Sequence, residues 1–142
     1  MAVAVISEGR FLQVNGRIVA SDLPGDLEHE LLLGHLPVLL HAAPRSALVV
    51  GVGAGITLGA VAAHDEIERL VVVEIEPAVV EASREFAYVN VRAVDTARLE
   101  TVFEDGRNYL KTSRETFDVI TADAFPPWAY RAAYLFTKEY YN

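Results

Sequence analysis

Short apolar runs separated by longer mixed segments give this chain the pattern of an α/β protein. Four of these runs predict strands, at residues 47–50, 70–73, 99–103 and 117–122. Helical patterns lie between them, and Pro77 is well placed to open a helix at residues 77–88. Strands that are joined in this way lie parallel through right-handed crossovers, so we expect a parallel sheet.

The N-terminal segment follows a different pattern, because its β-prone runs are not separated by helical ones. These runs lie at residues 3–7, 11–14 and 17–20. Asn15-Gly16 between the last two is a strong signal of a type I′ hairpin. We therefore predict an N-terminal β-meander at residues 1–22 and a separate α/β domain at residues 23–142.

A helix is predicted to join the meander to the parallel sheet, at residues 27–41. Asp26 directly precedes it and is a plausible N-cap. Pro37 lies inside the helix and is expected to kink or divide it. Its broad apolar face is predicted to consist of Leu31, Leu32, Leu36, Leu39 and Leu40.

The strongest functional signal lies at residues 46–77, where an apolar run, a glycine cluster, a helical segment and a second apolar run follow one another. The glycines are Gly51, Gly53 and Gly55. A dinucleotide fingerprint requires glycine at the first, third and sixth positions, and an apolar residue stands at the sixth in either register. The pattern favours a nucleoside ligand without a pyrophosphate, such as S-adenosylmethionine or a relative. A plain βαβ core unit is the alternative.

Acidic residues follow three of the predicted strands. They are Glu74, Asp105 and Asp123. Because the carboxyl ends of parallel strands lie along one edge of a sheet, all three are expected to face the crevice beside the glycine turn. Each acid alone could equally be a helix cap. Three of them beside a glycine turn favour a ligand site.

Composition limits the possible partners. The formal net charge of −8 argues against a nucleic-acid backbone as the main partner and is compatible with a cationic small substrate. The chain has no cysteine, which excludes disulfides and thiolate metal sites. Its four histidines show no metal-ligand spacing, so no metal is expected.

Residues 46–63 carry no charge and approach the length of a membrane span. Their four glycines and β-branched start favour a buried strand and turn instead. No signal-peptide pattern opens the chain. We therefore expect a cytoplasmic protein that has no membrane partner.

These residues resemble the polyamine aminopropyltransferases, the spermidine synthase family, and especially its bacterial spermidine-synthase-like branch. The matching segments are GHLPVLLH, ALVVGVGAGITLGA, VVVEIEPAVVEASREF, EDGRNYL, FDVITADAF and LFTKEYY, in the order that the family has them. The resemblance implies a Rossmann-like sheet of the S-adenosylmethionine-dependent methyltransferase type, with residues 23–142 as the nucleoside-binding domain. Family members continue with further strands, so the sheet is expected to lack its C-terminal strands.

For the nucleoside, the resemblance implies a set of binding residues. The turn that approaches the ligand matches Gly51, Gly53 and Gly55. Glu74 matches the acid that holds the ribose hydroxyls, and Asp105 with Gly106 matches the pair that contacts the adenine. The ligand is a co-substrate, decarboxylated S-adenosylmethionine in the family, and no tightly bound cofactor is implied.

For the amine, the resemblance implies an acceptor such as putrescine. Asp123 matches the acid that helps to deprotonate the attacking amine, and His29 and Glu30 loosely match substrate-binding positions. A base fits the chemistry, because an aliphatic amine with a pKa of about 10.4 is protonated at neutral pH and only its neutral form attacks carbon. A homodimer is also implied by the resemblance.

The chain differs from the family pattern at three amine-side positions. Ala54 and Pro126 stand where the family usually has acids, and Glu28 stands where it usually has a tyrosine. The first hypothesis remains aminopropyl transfer. A methyltransferase is the second, because a methyl donor brings its own carboxylate and an acid at Ala54 would repel it. The third is a non-catalytic relative that binds nucleoside or only dimerises.

Overall fold

The computed structural model describes residues 2–6, 9–123 and Lys138. Its first three strands form an antiparallel sheet: β1 (Ala2–Ile6), β2 (Gly9–Val14) and β3 (Arg17–Ser21). Between β2 and β3, Asn15 and Gly16 have φ values of 51° and 77°, as a type I′ turn requires. The predicted meander and its hairpin are therefore confirmed.

A parallel sheet with the strand order β6-β5-β4-β7 follows. Its strands are β4 (Ser46–Val50), β5 (Arg69–Glu74), β6 (Leu99–Phe103) and β7 (Val119–Ala122). The described α-helices are α1 (Pro24–Leu40), α2 (Ile56–Ala62), α3 (Pro77–Ser83) and α4 (Gly106–Thr112). The α-helix predicted at residues 77–88 ends at Ser83 and is followed by a short 3₁₀ turn at Arg84–Phe86. A second 3₁₀ turn lies at Ala93–Asp95. The predicted α/β fold is confirmed.

Helix α1 buries a different face from the predicted one. Its buried residues are Glu30, Gly34 and Val38, whereas four of the five leucines assigned to the apolar face are exposed: Leu32, Leu36, Leu39 and Leu40. A Cβ atom at Gly34 would lie 2.4 Å from the Ala60 Cβ and 2.6 Å from the Thr57 carbonyl oxygen. Helix α1 thus approaches α2 closely at Gly34, and of the five predicted leucines Leu31 packs against the core.

Two further predictions for α1 were wrong. The helix begins at Pro24, with Leu23 as its N-cap, so Asp26 lies in the first turn and is not the cap. The helix also continues past Pro37 as one element, so the proline does not divide it, and the predicted kink stays a prediction. Proline lacks the N–H that would pair with the Leu33 carbonyl, and the Thr121 hydroxyl donates to that carbonyl instead, at 3.0 Å. Strand β7 thus replaces the missing helical hydrogen bond.

The core lies on the two central strands. Every residue of β4 after Ser46 and of β5 after Arg69 is buried. Leu12 and Ala20 of the antiparallel sheet are also buried in the cluster that α2 and β4 form. The division of the chain at residue 22 stays a prediction. In the part of the chain that the structure describes, no helix combines the length and apolar character that a bilayer span needs.

Candidate functional site

The glycine turn connects the end of β4 to α2. Gly51, Gly53 and Gly55 have φ values of 92°, 53° and 79°, a region that side-chain-bearing residues rarely adopt. Space is also limiting, because a Cβ atom at Gly51 would lie 2.7 Å from the Asp123 carbonyl oxygen. At Gly55 it would lie 2.9 Å from Nδ2 of Asn90. The turn thus needs glycine for both its conformation and its neighbours.

Asn90 holds this turn in place, and the sequence reasoning missed it. The side chain is fully buried, and its Nδ2 donates to the carbonyl oxygens of Ala54 at 2.8 Å and Ser83 at 2.7 Å. Its Oδ1 accepts a hydrogen bond from the Arg92 amide at 3.0 Å. Asn90 therefore fixes the turn against the end of α3. A single asparagine in a predicted loop gives no sequence signal for such a role.

Glu74 ends β5 with its carboxylate pointing into the glycine turn. Its Oε2 accepts the Val52 amide and its Oε1 accepts the Glu76 amide, both at 2.9 Å. The residue is 7% exposed. A carboxylate oxygen can accept two hydrogen bonds, so each still has a lone pair for a ligand hydroxyl. Backbone amides therefore fix Glu74 before any ligand arrives.

Asp105 is the N-cap of α4. Its Oδ1 accepts the amides of Arg107 at 2.9 Å and Asn108 at 3.3 Å, and its Oδ2 pairs with the Arg107 guanidinium at 2.9 Å. These hydrogen bonds, first the one from the Arg107 side chain, lower the pKa of Asp105. A Cβ atom at the next residue, Gly106, would lie 2.4 Å from Cγ1 of Val50. The structure therefore shows the capping role of Asp105 and its place on the carboxyl edge.

Asp123 follows β7 and lies across the glycine turn. Its amide donates to the Val50 carbonyl at 2.9 Å, and its Oδ2 would lie 3.3 Å from a Cβ atom at Gly53. Burial, and then the charge of Glu74, raise the pKa of Asp123 to about 7, while a hydrogen bond with Thr57 acts in the opposite direction. The three predicted acids do lie along one edge of the sheet.

Glu30 approaches Asp123 from α1. It is 6% exposed, and its Oε2 has no hydrogen-bond partner among the described residues. Burial, then the charges of Asp123 and Asp26, raise the pKa of Glu30 to about 9. His29, the other α1 residue proposed from the resemblance, is exposed. The structure thus brings Glu30 to the glycine-turn edge and leaves His29 on the surface of the described chain.

Pro126, which stands where the family usually has an acid, lies outside the residues that the structure describes. Among the described residues, no three histidine or acidic side chains are arranged to hold a metal ion.

Comparison with known proteins shows which family this chain matches. The model of the spermine/spermidine synthase domain matches residues 26–142. The polyamine aminopropyltransferase of Thermotoga petrophila is 33% identical over 94% of this chain and 45% of its own length. That of Aeropyrum pernix is 38% identical over 99% of this chain and 45% of its own. The chain thus spans about half the length of these curated relatives.

Solved structures agree with the match. A spermidine synthase in complex with the transition-state analogue AdoDATO superposes with a TM-score of 0.80 at 27% identity, over 99% of this chain and 52% of that one. Spermidine synthase from Thermotoga maritima gives a TM-score of 0.76 at 26% identity, over 99% and 50%. The resemblance that the sequence motifs indicated is confirmed, and the chain belongs to the spermine/spermidine synthase family.

Proposed function

We propose that this chain forms the donor-binding and catalytic part of a spermidine synthase-like aminopropyltransferase. The reaction moves an aminopropyl group from decarboxylated S-adenosylmethionine to a diamine such as putrescine. The observation that carries the proposal is the position of Asp123 across the glycine turn, on the same edge as Glu74. The curated relatives named polyamine aminopropyltransferase support the same reaction.

The nucleoside would lie over the glycine turn. Gly51, Gly53 and Gly55 let the ligand approach the backbone closely, since none carries a side chain. The free lone pairs of Glu74 suit the ribose hydroxyls, because its carboxylate is already fixed by two backbone amides. Asp105 and Gly106 are proposed to contact the adenine, from the adjacent strand end.

The chemistry is a displacement at the carbon beside the sulfonium. The amine lone pair forms the new C–N bond while the C–S bond breaks, and the electrons of that bond stay on sulfur. The leaving group is a neutral thioether, so it needs no acid. The amine must lose a proton, and Asp123 is the proposed acceptor. A carboxylate whose pKa is raised to about 7 is a better match to an amine than an ordinary one is.

Other features of the proposal rest on the family resemblance. His29 and Glu30 are proposed substrate-binding residues, and the donor is a co-substrate rather than a resident cofactor. Homodimeric assembly is proposed on the same basis, and a cytoplasmic location is proposed as the sequence pattern led us to expect. The acidic balance of the chain, −8, suits a cationic substrate rather than a nucleic acid.

Calorimetric titration of the protein with three nucleosides tests the proposed function. Decarboxylated S-adenosylmethionine and methylthioadenosine should bind, and carboxylated S-adenosylmethionine should bind more weakly, because its carboxylate meets the acids of the site. Transfer to putrescine should then follow. Preference for the carboxylated donor would indicate a methyltransferase instead. No binding of any of the three to a folded sample would leave the glycine turn as scaffold only.

A further inference from the structure

The Glu30 side chain presents a buried carboxyl oxygen that the described protein does not satisfy. Glu30 is 6% exposed, and its Oε2 has no hydrogen-bond partner among the described residues. Leaving a buried carboxyl oxygen unpaired carries a desolvation penalty. The position is not a consequence of poor helix packing, because the backbone of Glu30 is anchored: its carbonyl accepts the Thr57 hydroxyl at 3.1 Å.

The groups that face Glu30 come from several elements. From its own helix, Asp26 lies one turn earlier, and the Ser21 hydroxyl at the end of β3 donates to it. After β7, Asp123 is near enough for its charge, like that of Asp26, to act on Glu30. From α2, Thr57 binds the backbone of Glu30 and the side chain of Asp123. The charged groups that act on Glu30 in the described chain are therefore acids.

Of the acids that act on Glu30, Asp123 lies against the glycine turn. A Cβ atom at Gly53 would lie 3.3 Å from Oδ2 of Asp123 and 3.6 Å from the Cβ of Ala20, the residue before Ser21. The turn contributes no charge of its own, because Ala54 stands between its last two glycines. A ligand above the turn would thus meet carboxyl groups from α1 and from the end of β7.

A primary ammonium group matches this environment. It carries three N–H donors and one positive charge, so it could pair with the free oxygen of Glu30 and offset the repulsion between neighbouring carboxylates. A neutral hydroxyl would supply the hydrogen bond but not the charge. The unsatisfied oxygen and its acidic neighbours together therefore select a cation that has several donors.

Building on the proposed function, we propose that Glu30 binds a primary ammonium group of the substrate through Oε2, losing its own carboxyl proton to solvent as the ion pair forms. The ammonium group keeps its three protons in this step, so one proton leaves the site for each ligand bound. Both the aminopropyl end of the donor and the end of the diamine acceptor carry such a group. Burial and the two acidic neighbours, which raise the pKa of Glu30 to about 9, keep it protonated in the empty site near pH 8.

Calorimetry with Glu30→Gln tests this assignment in the full chain. Decarboxylated S-adenosylmethionine carries the ammonium group, methylthioadenosine shares its nucleoside but lacks that group, and putrescine is the acceptor. Titrations at pH 8 in two buffers of different ionisation enthalpy count the protons released. The pKa of Asp123 is also raised, to about 7, so the same count with Asp123→Asn separates its protons from those of Glu30. Glu68→Gln, on the exposed surface, is the matched control for loss of one carboxylate.

We expect the wild-type protein to release about one proton on binding an ammonium-bearing ligand and none on binding methylthioadenosine. Glu30→Gln should weaken the ammonium-bearing ligand by about tenfold or more, abolish proton release and leave methylthioadenosine affinity within about twofold. Glu68→Gln should behave as wild type. If Glu30→Gln weakens binding of decarboxylated S-adenosylmethionine alone, Glu30 binds the aminopropyl ammonium group. If it weakens binding of putrescine alone, Glu30 binds an ammonium group of the acceptor.

Three outcomes would overturn the assignment. Equal weakening of all ligands by Glu30→Gln would give the residue a structural role. The wild type could bind methylthioadenosine normally yet release no proton with an ammonium-bearing ligand, with no selective loss of that ligand in Glu30→Gln. That result would rule out the ammonium role of Glu30 but would not contradict the proposed function. If a folded wild-type sample bound neither nucleoside, both the ammonium role of Glu30 and the proposed function would be contradicted. Should Glu30→Gln not fold, a wild-type protein that releases no proton on binding an ammonium-bearing ligand would still overturn the assignment.

Discussion

The carboxylates on the two sides of the glycine turn differ in how the protein satisfies them. On the side proposed for the nucleoside, Glu74 and Asp105 each accept two backbone amides. On the side proposed for the amine, burial and neighbouring acidic groups raise the pKa values of Asp123 and Glu30. Among the described residues, the carboxylates of the nucleoside side have their hydrogen bonds in place without a ligand, whereas the charged groups that act on Glu30 are acids.

This difference follows from what each side is proposed to bind. A ribose and a base are neutral, so their partners need fixed positions rather than free charge, and backbone amides supply that fixation. An amine brings its own positive charge, so its partners are left without one. The pKa of Asp105 is lowered by Arg107, whereas burial and neighbouring acids raise the pKa values of Glu30 and Asp123.

The largest expected effect is on the amine side, from Asp123→Asn. The amide cannot accept the proton of the amine, so transfer should fall by about 10² to 10⁴. Methylthioadenosine should bind nearly as well as before, because it carries no amine. Product formation by chromatography and nucleoside titration measure the two. Normal turnover by the variant would show that Asp123 is not the base.

On the nucleoside side, Glu74→Gln should reduce binding. An amide side chain has only one acceptor oxygen, so it cannot accept both the Val52 and Glu76 amides and also bind ribose. We expect methylthioadenosine affinity to fall by about tenfold or more. Glu76→Gln is the control, since the exposed Glu76 only caps α3. Equal affinities in the two variants would contradict the ribose role of Glu74.

A pair of glycine substitutions tests whether the substrate occupies the space over the turn that contains Gly53. Gly53 and Gly16 both have positive φ, so alanine at either should destabilise the fold by about 1–2 kcal/mol. Of the two, only Gly53 would place the new Cβ near Asp123, whereas no described atom lies within 4 Å of a Cβ at Gly16. Transfer should therefore drop severalfold in Gly53→Ala alone. A similar drop in Gly16→Ala would point to strain rather than to the site.

The smallest expected effect is on the pH dependence of stability. Because the pKa of Glu30 is raised from 4.5 to about 9, the folded state holds a proton there that the unfolded state loses. The free energy of unfolding that this group contributes should fall as pH rises between these values. Melting temperatures from pH 5 to 9 should decline less steeply in Glu30→Gln, by a few degrees over the range.

The matched control for this measurement is Glu68→Gln, which should keep the wild-type slope. Asp105 titrates in the opposite sense, because its lowered pKa gives stability above about 3.8 that is lost as pH falls. That window lies below the one tested. An unchanged slope in Glu30→Gln would show that Glu30 is not protonated in the folded chain.

Local signals account for what the sequence predicted well. The hairpin at Asn15-Gly16 and the turn at Gly51, Gly53 and Gly55 each depend on φ values that few other residues adopt. The strands of the parallel sheet stood out as apolar runs because β4 and β5 are buried on both faces. Acidic residues at or just after the ends of three strands then indicated that the site lies at one edge of the sheet.

Contacts between distant segments account for what it missed. The leucines of α1 predicted the wrong buried face, because Gly34 allows closer packing on Ala60 than any leucine does. Helix α1 continues past Pro37 because Thr121, on β7, donates to the unpaired Leu33 carbonyl. No pattern within α1 contains that information.

The sequence by itself determined the α/β class, the glycine turn and the row of acids, because each follows from backbone geometry or from short-range hydrophobic spacing. Only the tertiary structure decided how those acids are satisfied. Asn90 fixes the turn, backbone amides fix Glu74, and α1 carries Glu30 to Asp123. Burial and charge at one carboxylate depend on elements far away in the chain, so the proton balance of the site is a property of the fold.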